Sequence, residues 1–314
     1  MSTSAASPPY PIGTPGTPWG PAERAAWLTL QRRQRSYADE VIAPLAACLP
    51  AQAELFQYGV LDYARFGLAD YPLHAVRSRS WSTQRPVVLV TGGVHGYETS
   101  GVHGALRWIE HAFEEQVDTI NILLLPCISP WGYETVNRWN PDALDPNRHF
   151  REASPAAESA HAMRCVAAHR GRVDLHVDLH ETTDTDATEF GPAKAARDGV
   201  AFERHDIPDG FYLVGDVERP VPAFQRALIE AVRRVTHIAE PDERGCIIGE
   251  PLQQPGVIDY AKRSLGLCAG FTDARFVTTT EVYPDSPGVT PAQCNEAQAT
   301  TVRTAIDYLL RSRR

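Results

Sequence analysis

The chain has 314 residues, of which 43% are hydrophobic and 22% charged, with a formal net charge of −9. That length leaves room for one large domain or two modest ones, either able to bury a sizeable core. The acidic balance and the lack of a Lys/Arg run argue against a nucleic-acid footprint.

Residues 1–20 are rich in Pro, Gly, Ser and Thr and read as an extended arm or flexible tail. They carry neither the basic n-region nor the apolar h-region of a secretory signal. Pro21 to Cys48 places Trp27, Leu30, Tyr37, Val41, Ile42 and Leu45 at helical spacing, with Pro44 set to kink or restart the helix. Glu54 to Trp81 alternates and is broken by turn residues, as two strands of an antiparallel edge would be. The apolar run Pro86 to Val90 reads as a buried parallel strand, and a helical pattern follows over 99–115. Thr119 to Pro126 is a second buried strand, 127–152 a polar loop-rich stretch, 155–170 a helix and Val173 to Leu179 a strand. Residues 181–220 are dotted with Gly, Pro and Asp and read as a lid or insertion. Pro222 to Thr236 is helical, 245–275 is mixed, Phe276 to Val282 is β-rich, and Thr290 to Arg311 closes with an amphipathic helix. The βα alternation from 86 to 180 predicts an α/β three-layer sandwich around a mixed, largely parallel central sheet. No linker after residue 20 divides the chain, so 21–314 is expected to form a single domain. No run is long enough for a membrane span, and the six separated cysteines, with no CxxC pair, are expected to be reduced. A cytoplasmic location is the expectation.

Chemistry gathers at TGGVHGYE, residues 91–98. His95 and Glu98 fall where a strand ends and a helix begins, the place where sites collect in open α/β sheets. An imidazole and a carboxylate three residues apart can converge on one ion, and a catalytic zinc needs one further protein ligand. The strand VDLHVDLHE offers His176 and His180. His180 lies at its carboxyl end and is the better ligand, whereas His176, roughly 13 Å back along the strand, is expected to be structural. Arg138 and the run Asp145-Pro146-Asn147-Arg148 suggest anion handling. Asp145 is also placed to accept the free N–H of a metal-bound imidazole. Glu281 ends the strand FVTTTEV, and a carboxylate there is costly unless paired or used, for example as a general base. Each motif alone has a bland reading: a surface pair, a capped turn, a core histidine, an edge strand. Asp184, Asp186 and Glu189 read as a solvated loop, and Glu181 as a residue outside the site.

Taken in order, HGYE, Arg138, DPNRHF, DLH and TTTEV resemble the zinc metallocarboxypeptidase family in its broad, carboxypeptidase A-like sense, which includes the succinylglutamate desuccinylase/aspartoacylase branch. The resemblance runs from about Tyr58 to Val282. It implies one Zn2+ per chain held by His95, Glu98 and His180, with Asp145 supporting His95. It further implies that Arg138 polarises the scissile carbonyl, that Asn147 and Arg148 grip a terminal carboxylate, and that Glu281 acts as general base. Tyr260 is the candidate for a tyrosine that closes over the substrate. SPWG and DPNRHF depart from the family's NPDG and DLNRNF. The implied activity is hydrolysis of an amide bond beside a free carboxylate, in a small peptide. The alternatives are an N-acyl amino-acid amidohydrolase and a carboxylate-binding protein without turnover. Neither nucleic acid nor membrane is an expected partner, and the oligomeric state is left open.

Overall fold

A computed structural model of the chain describes residues 10–169, 172–204 and 206–313. Residues 1–9, almost half of the expected arm, lie outside the described residues. The rest of the arm is not extended: it bends after Tyr10, turns where Thr17 N donates to Thr14 O (3.0 Å), and is anchored by Trp19, which is buried edge-on against Trp139 at 6.1 Å between ring centroids. Helices α1 (Pro21–Leu30) and α2 (Ala43–Cys48) follow, the second entered through a π-helical turn over Ala38–Ile42 and restarted at Pro44.

The strands are β1 (Ala53–Leu61), β2 (Tyr71–Ser78), β3 (Val87–Gly92), β4 (Asn121–Leu125), β5 (Val173–Glu181), β6 (Tyr212–Asp216), β7 (Cys246–Ile247), β8 (Glu250–Pro251), β9 (Val257–Tyr260) and β10 (Phe276–Val282). Among the described residues, eight of them form one sheet in the order β1-β2-β4-β3-β5-β10-β6-β9, and β7 and β8 make a separate hairpin. The inner strands β4, β3, β5 and β10 run parallel, and β1 and β2 form the antiparallel edge. At the other edge β6 runs antiparallel to β10 and parallel to β9. The remaining helices are α3 (Thr99–His111), α4 (Phe113–Gln116), α5 (Pro130–Thr135), α6 (Ala157–Ala168), α7 (Gly191–Asp198), α8 (Pro222–Val232) and α9 (Pro291–Ser312). The helix expected over 99–115 breaks at Ala112 (φ −131°), where Phe113 turns in to pack edge-on against Trp108. The irregular stretch expected over 181–220 is corrected in part, because it contains α7 and a central-sheet strand, β6.

Strand alternation sorts the side chains into two layers. Val88, Val90, Ile122, Leu124, Leu175, Val177 and Leu179 point to one face and join the core built with α2, α3, α8 and α9. Full burial of Phe113 and Phe224 in that layer contributes roughly 1.5–3 kcal/mol each. Leu89, Leu123, Leu125 and Val277 point the other way, under α6 and residues 268–274. Near the carboxyl ends of the parallel strands this second face opens into a cleft.

Two local features fix the strand ends at that cleft. Helix α9 starts with a capping box, in which Thr290 Oγ1 accepts from Gln293 N and the Gln293 side chain accepts from Thr290 N. It then crosses α3 so closely that a Cβ on Gly104 would lie 2.3 Å from Gln298 Cβ. The approach delivers Gln298 to the backbone of the site: its Nε2 donates to His180 O (2.8 Å) and its Oε1 accepts from Thr280 Oγ1 (2.5 Å). All six cysteines are free, and among the described residues no helix is long and apolar enough to cross a membrane.

Candidate active site

Strand β3 ends at Gly92, and the loop after it is pressed against α5. A Cβ on Gly96 would lie 2.0 Å from the Gly132 carbonyl carbon, so only glycine allows the approach. Tyr97 N donates to Asn137 O (3.2 Å) and Glu98 N to His95 O (3.3 Å), which closes a turn and brings the side chains of His95 and Glu98 together. His180, one residue from the end of the adjacent strand β5, completes the group. His95 Nδ1 is 2.7 Å from Glu98 Oε1, and His180 Nδ1 is 2.8 Å from Glu98 Oε2. All three side chains are buried.

The far side of each imidazole is committed to a carboxylate: His95 Nε2 lies 2.9 Å from Asp145 Oδ1 and His180 Nε2 lies 3.0 Å from Asp178 Oδ2. With a metal bound, those contacts would hold the N–H at Nε2 and leave each Nδ1 free for the ion. Glu98 Oε2 has His180 Nδ1 as its close neighbour, at 2.8 Å. Two imidazole nitrogens and a carboxylate therefore meet in a dry pocket, with donor atoms all within 4.8 Å of one another. A cation resolves that arrangement, and two His with one Glu is a donor set suited to catalytic zinc.

Electrostatics give the same result. Burial alone would raise the Glu98 pKa, but His180 and His95 outweigh it and hold it near 2. Asp145 is likewise held well below the usual carboxylate range against the cost of burial, first by Arg138 and then by His95. Burial would lower His180, yet Glu98 and Asp178 keep it well above the ordinary value, so the pocket calls for positive charge. Glu281 behaves in the opposite way: burial dominates and pushes it up to about 7.

Glu281 is paired in register with His180 across β10 and β5, so it projects from the same face of the sheet. Its Oε2 accepts from Thr182 Oγ1 at 2.9 Å. Arg138 donates through Nε to Asp145 Oδ2 (3.1 Å) and through Nη1 to Tyr97 Oη and Asp186 Oδ1 (both 3.2 Å). Asn147 Oδ1 accepts from Cys268 N (2.7 Å), and Arg148 Nη1 donates to Asn147 O (2.8 Å). Tyr260 ends β9 on the same side of the sheet as Glu281, and burial pushes its hydroxyl up to about 12. The structure thus brings all nine candidate residues to the wall of one cleft of about 520 Å³.

The model of the succinylglutamate desuccinylase/aspartoacylase catalytic domain matches residues 84–201, which include His95, Glu98, Arg138, the 145–148 run and His180. The fold is similar to that of a candidate metallopeptidase from Shewanella amazonensis, with a TM-score of 0.64 at 20% identity over 85% of this chain and 91% of that one. It is also similar to a Burkholderia cenocepacia metallo-carboxypeptidase (TM-score 0.55, 16% identity, 95% and 70% covered). A Pseudomonas aeruginosa metallo-carboxypeptidase in complex with (2-guanidinoethylmercapto)succinic acid gives a TM-score of 0.56 at 17% identity, over 93% and 70% of the two chains. The fold is thus that of the carboxypeptidase-like proteins. A search of curated proteins found no match.

Within this site several partners were not legible in the sequence. Asp178 stands two residues before His180 on the same strand face, so the DLH spacing contained the signal. Tyr97 lies between the two ligands of HGYE. Asp186, read from sequence as part of a solvated loop, instead pairs with Arg138 and accepts from Tyr97 Oη. Glu181 is also corrected: it is buried and accepts from the backbone N–H groups of Thr99 and Ser100 at the start of α3. His176 is fully buried, with its nitrogens beside the Thr91 and Thr272 hydroxyls. It forms a second close group with Asp178 and Cys268, but Asp178 is already committed to His180 and Thr91. Residues between 186 and 203 supply one wall of the cleft, with Phe190, Lys194 and Phe202 among its lining.

Proposed function

We propose that the protein is a zinc-dependent hydrolase that cleaves an amide bond beside a free carboxylate, acting as a metallocarboxypeptidase on small peptides. The observation that carries this reading is the pairing of a cation-demanding His95–Glu98–His180 group with a carboxyl group one strand away whose pKa is pushed to about 7. Zinc bound there would supply a Lewis acid that lowers the pKa of water and polarises a carbonyl. Glu281, poised near neutral pH, takes the proton of the attacking water and returns it to the leaving amine. Arg138, held in place by Asp145 and Asp186, presents its guanidinium to the oxygen on which negative charge develops. Arg148 and the amide of Asn147 hold the substrate's terminal carboxylate, and Tyr260 covers it from β9.

A second reading, hydrolysis of an N-acyl amino acid, is favoured by the desuccinylase/aspartoacylase match over 84–201. The peptidase reading is favoured by the likeness in fold to metallo-carboxypeptidases over 93–95% of this chain. The test is metal analysis of protein purified without added metal, then a panel of short peptides and acylated amino acids. About one zinc per chain, with release of the terminal amino acid, is the expected result. Glu281→Gln should abolish turnover and keep the metal; retained turnover would sink the assignment.

A further inference from the structure

Tyr97 stands between the two ligands of HGYE, and the chemistry above leaves it without a task. It is 4% exposed, and three sets of contacts hold it. Its backbone N–H donates to the carbonyl of Asn137 (3.2 Å), the residue before Arg138. Its ring lies nearly parallel to the His95 imidazole (6.1 Å between centroids, 21° between planes) and packs against Phe190 (4.6 Å). Its hydroxyl donates to Asp186 Oδ1 (2.7 Å) and accepts from Arg138 Nη1 (3.2 Å). One phenol thus joins the metal-ligand loop, the arginine and the cleft wall that starts at Asp186.

Arg138 is where these contacts matter. A guanidinium is planar, with five N–H donors in a fixed fork. Nε is bound to Asp145 Oδ2 (3.1 Å), and Nη1 to Tyr97 Oη and Asp186 Oδ1 (both 3.2 Å). Two anchored nitrogens of one rigid plane decide where the third points. Among the described residues Nη2 donates to none, and the Arg138 side chain lines the cleft. Nη2 is therefore the donor left for a substrate oxygen. Asp186 alone holds Nη1 less firmly than the pair does, because it lies on the π-helical turn Asp186–Phe190 with its side chain 21% exposed. Asp186 is itself steered by the Tyr97 hydroxyl through Oδ1 and by Thr183 N (2.9 Å) through Oδ2.

We propose that Tyr97 is a positioning residue: through its hydroxyl it sets the plane of Arg138, so that Nη2 faces the oxygen on which negative charge develops. This rests on the hydrolase reading above. Among the described residues that line the cleft Tyr97 is not one, so it acts through Arg138 and not on the substrate. An interaction aimed at charge that exists only in the transition state raises kcat and leaves KM alone. A hydrogen bond to a charged group contributes roughly 10- to 100-fold in rate when it serves that state. The ring contact with His95 is separate from the hydroxyl contacts, so the orientation of the arginine can be disturbed while the metal ligands stay in place.

Tyr97→Phe keeps both ring contacts and removes the hydroxyl alone. On a short peptide that the zinc-loaded wild type hydrolyses, kcat is expected to fall roughly 10- to 100-fold, with KM and the zinc dissociation constant within about twofold. A phosphonate analogue of the peptide carries negative oxygens on a tetrahedral centre. Its affinity should fall along with kcat, whereas the affinity for the released amino acid should not. In an Arg138→Ala background Tyr97→Phe should alter neither kcat nor phosphonate affinity by more than about twofold, because the two residues act as one unit. Additive losses from the two changes would make Tyr97 an independent structural contributor and overturn the proposal. Equal phosphonate affinity in wild type and Tyr97→Phe overturns it as well. No hydrolysis by wild type, with phosphonate affinity that depends on Tyr97 only while Arg138 is present, overturns the hydrolase reading and keeps the positioning role. Neither hydrolysis nor phosphonate binding overturns both. Should Tyr97→Phe fail to fold, Asp186→Ala reads the same link, since it releases the hydroxyl from its anchor, and an unchanged kcat there overturns the proposal.

Discussion

Replacing Asp178 with Asn isolates the contribution of charge behind a metal ligand. Asp178 is buried, accepts from Thr91 Oγ1 at 2.6 Å through Oδ1, and faces His180 Nε2 at 3.0 Å through Oδ2. Asn is nearly isosteric. Its carbonyl oxygen can take over the His180 contact, and its NH2 can face a Thr91 hydroxyl turned to accept. The packing is then kept and the negative charge is lost. That charge makes His180 a better electron donor and fixes its tautomer, and partners of this kind are worth about 10- to 100-fold in metal affinity. This corresponds to about 1.4–2.7 kcal/mol. The assay is a zinc titration of metal-free protein against a chromophoric chelator, with circular dichroism to verify the fold. Asp178→Asn is expected to weaken zinc binding within that range, and at saturating zinc to retain most of its kcat. Asp145→Asn should differ, because Asp145 also holds Arg138 at 3.1 Å, and kcat should fall even with zinc saturating. A folded Asp178→Asn protein with a zinc dissociation constant within twofold of wild type would refute the reasoning.

Other measurements address the remaining groups. The value of kcat/KM should rise with pH along an acid limb set by Glu281, at or somewhat below about 7 because a bound cation favours the carboxylate; a limb near 4 would remove Glu281 as the base. His176→Gln should cost about 1–3 kcal/mol in urea unfolding, because the change disturbs the buried Thr91 and Thr272 hydroxyl contacts. Its zinc content should stay the same, and loss of zinc would make His176 a ligand after all. Burial raises the Glu181 pKa to about 7. A raised carboxyl pKa gives stability that is complete below the ordinary value near 4.5 and is lost as pH rises through 7. Glu181→Gln, which does not titrate, should therefore gain on wild type between pH 5 and 8 by up to about 3 kcal/mol. Parallel unfolding curves across that range would show that the α3 N-terminus fully offsets the charge.

The sequence disclosed those features that depend on local periodicity. The strands that end at Gly92 and Glu181 were readable from short apolar runs, and the rise per residue along β5 separated His180 from His176. HxxE and DxNR are short-range motifs, delivered by a tight turn and a short 310 helix, so their spacing is visible in sequence even though α5 and Cys268 hold them in place. The partners that remained hidden are set by long-range packing. Asp186 reaches Arg138 only because the segment after β5 folds back over the cleft through a π-helical turn at Asp186–Phe190. Lys262, buried on the cleft wall, sits in a stretch of 245–275 whose two-residue hairpin strands and the four-residue β9 carry no strong period, and its burial results from β9 joining the far edge of the sheet. The same edge holds β6, which sequence reading left inside an irregular segment because five residues between loops make a weak strand signal.

The carboxylates of the cleft divide by environment into two groups, and that division assigns their roles more firmly than residue type does. Glu98, Asp145 and Asp178 are each penalised by burial but face imidazoles or a guanidinium closely enough to stay ionised, so they serve as ligand and as supports for ligands. Glu281 is partly exposed and bonds a threonine hydroxyl, and there desolvation outweighs the opposing pull of His180, so its proton affinity rises to neutral pH. Acid–base chemistry needs a group whose pKa lies near the working pH, standing beside groups whose pKa values do not. The separation depends on Asp178 and Asp145 continuing to hold the imidazoles. If Asp145→Asn or Asp178→Asn loosened His95 or His180, Glu98 would lose its nearest positive partners and its pKa would climb toward that of Glu281. A change behind the ligands would then reach the acid limb of the pH profile as well as the zinc affinity, which is why both should be measured on the same variants.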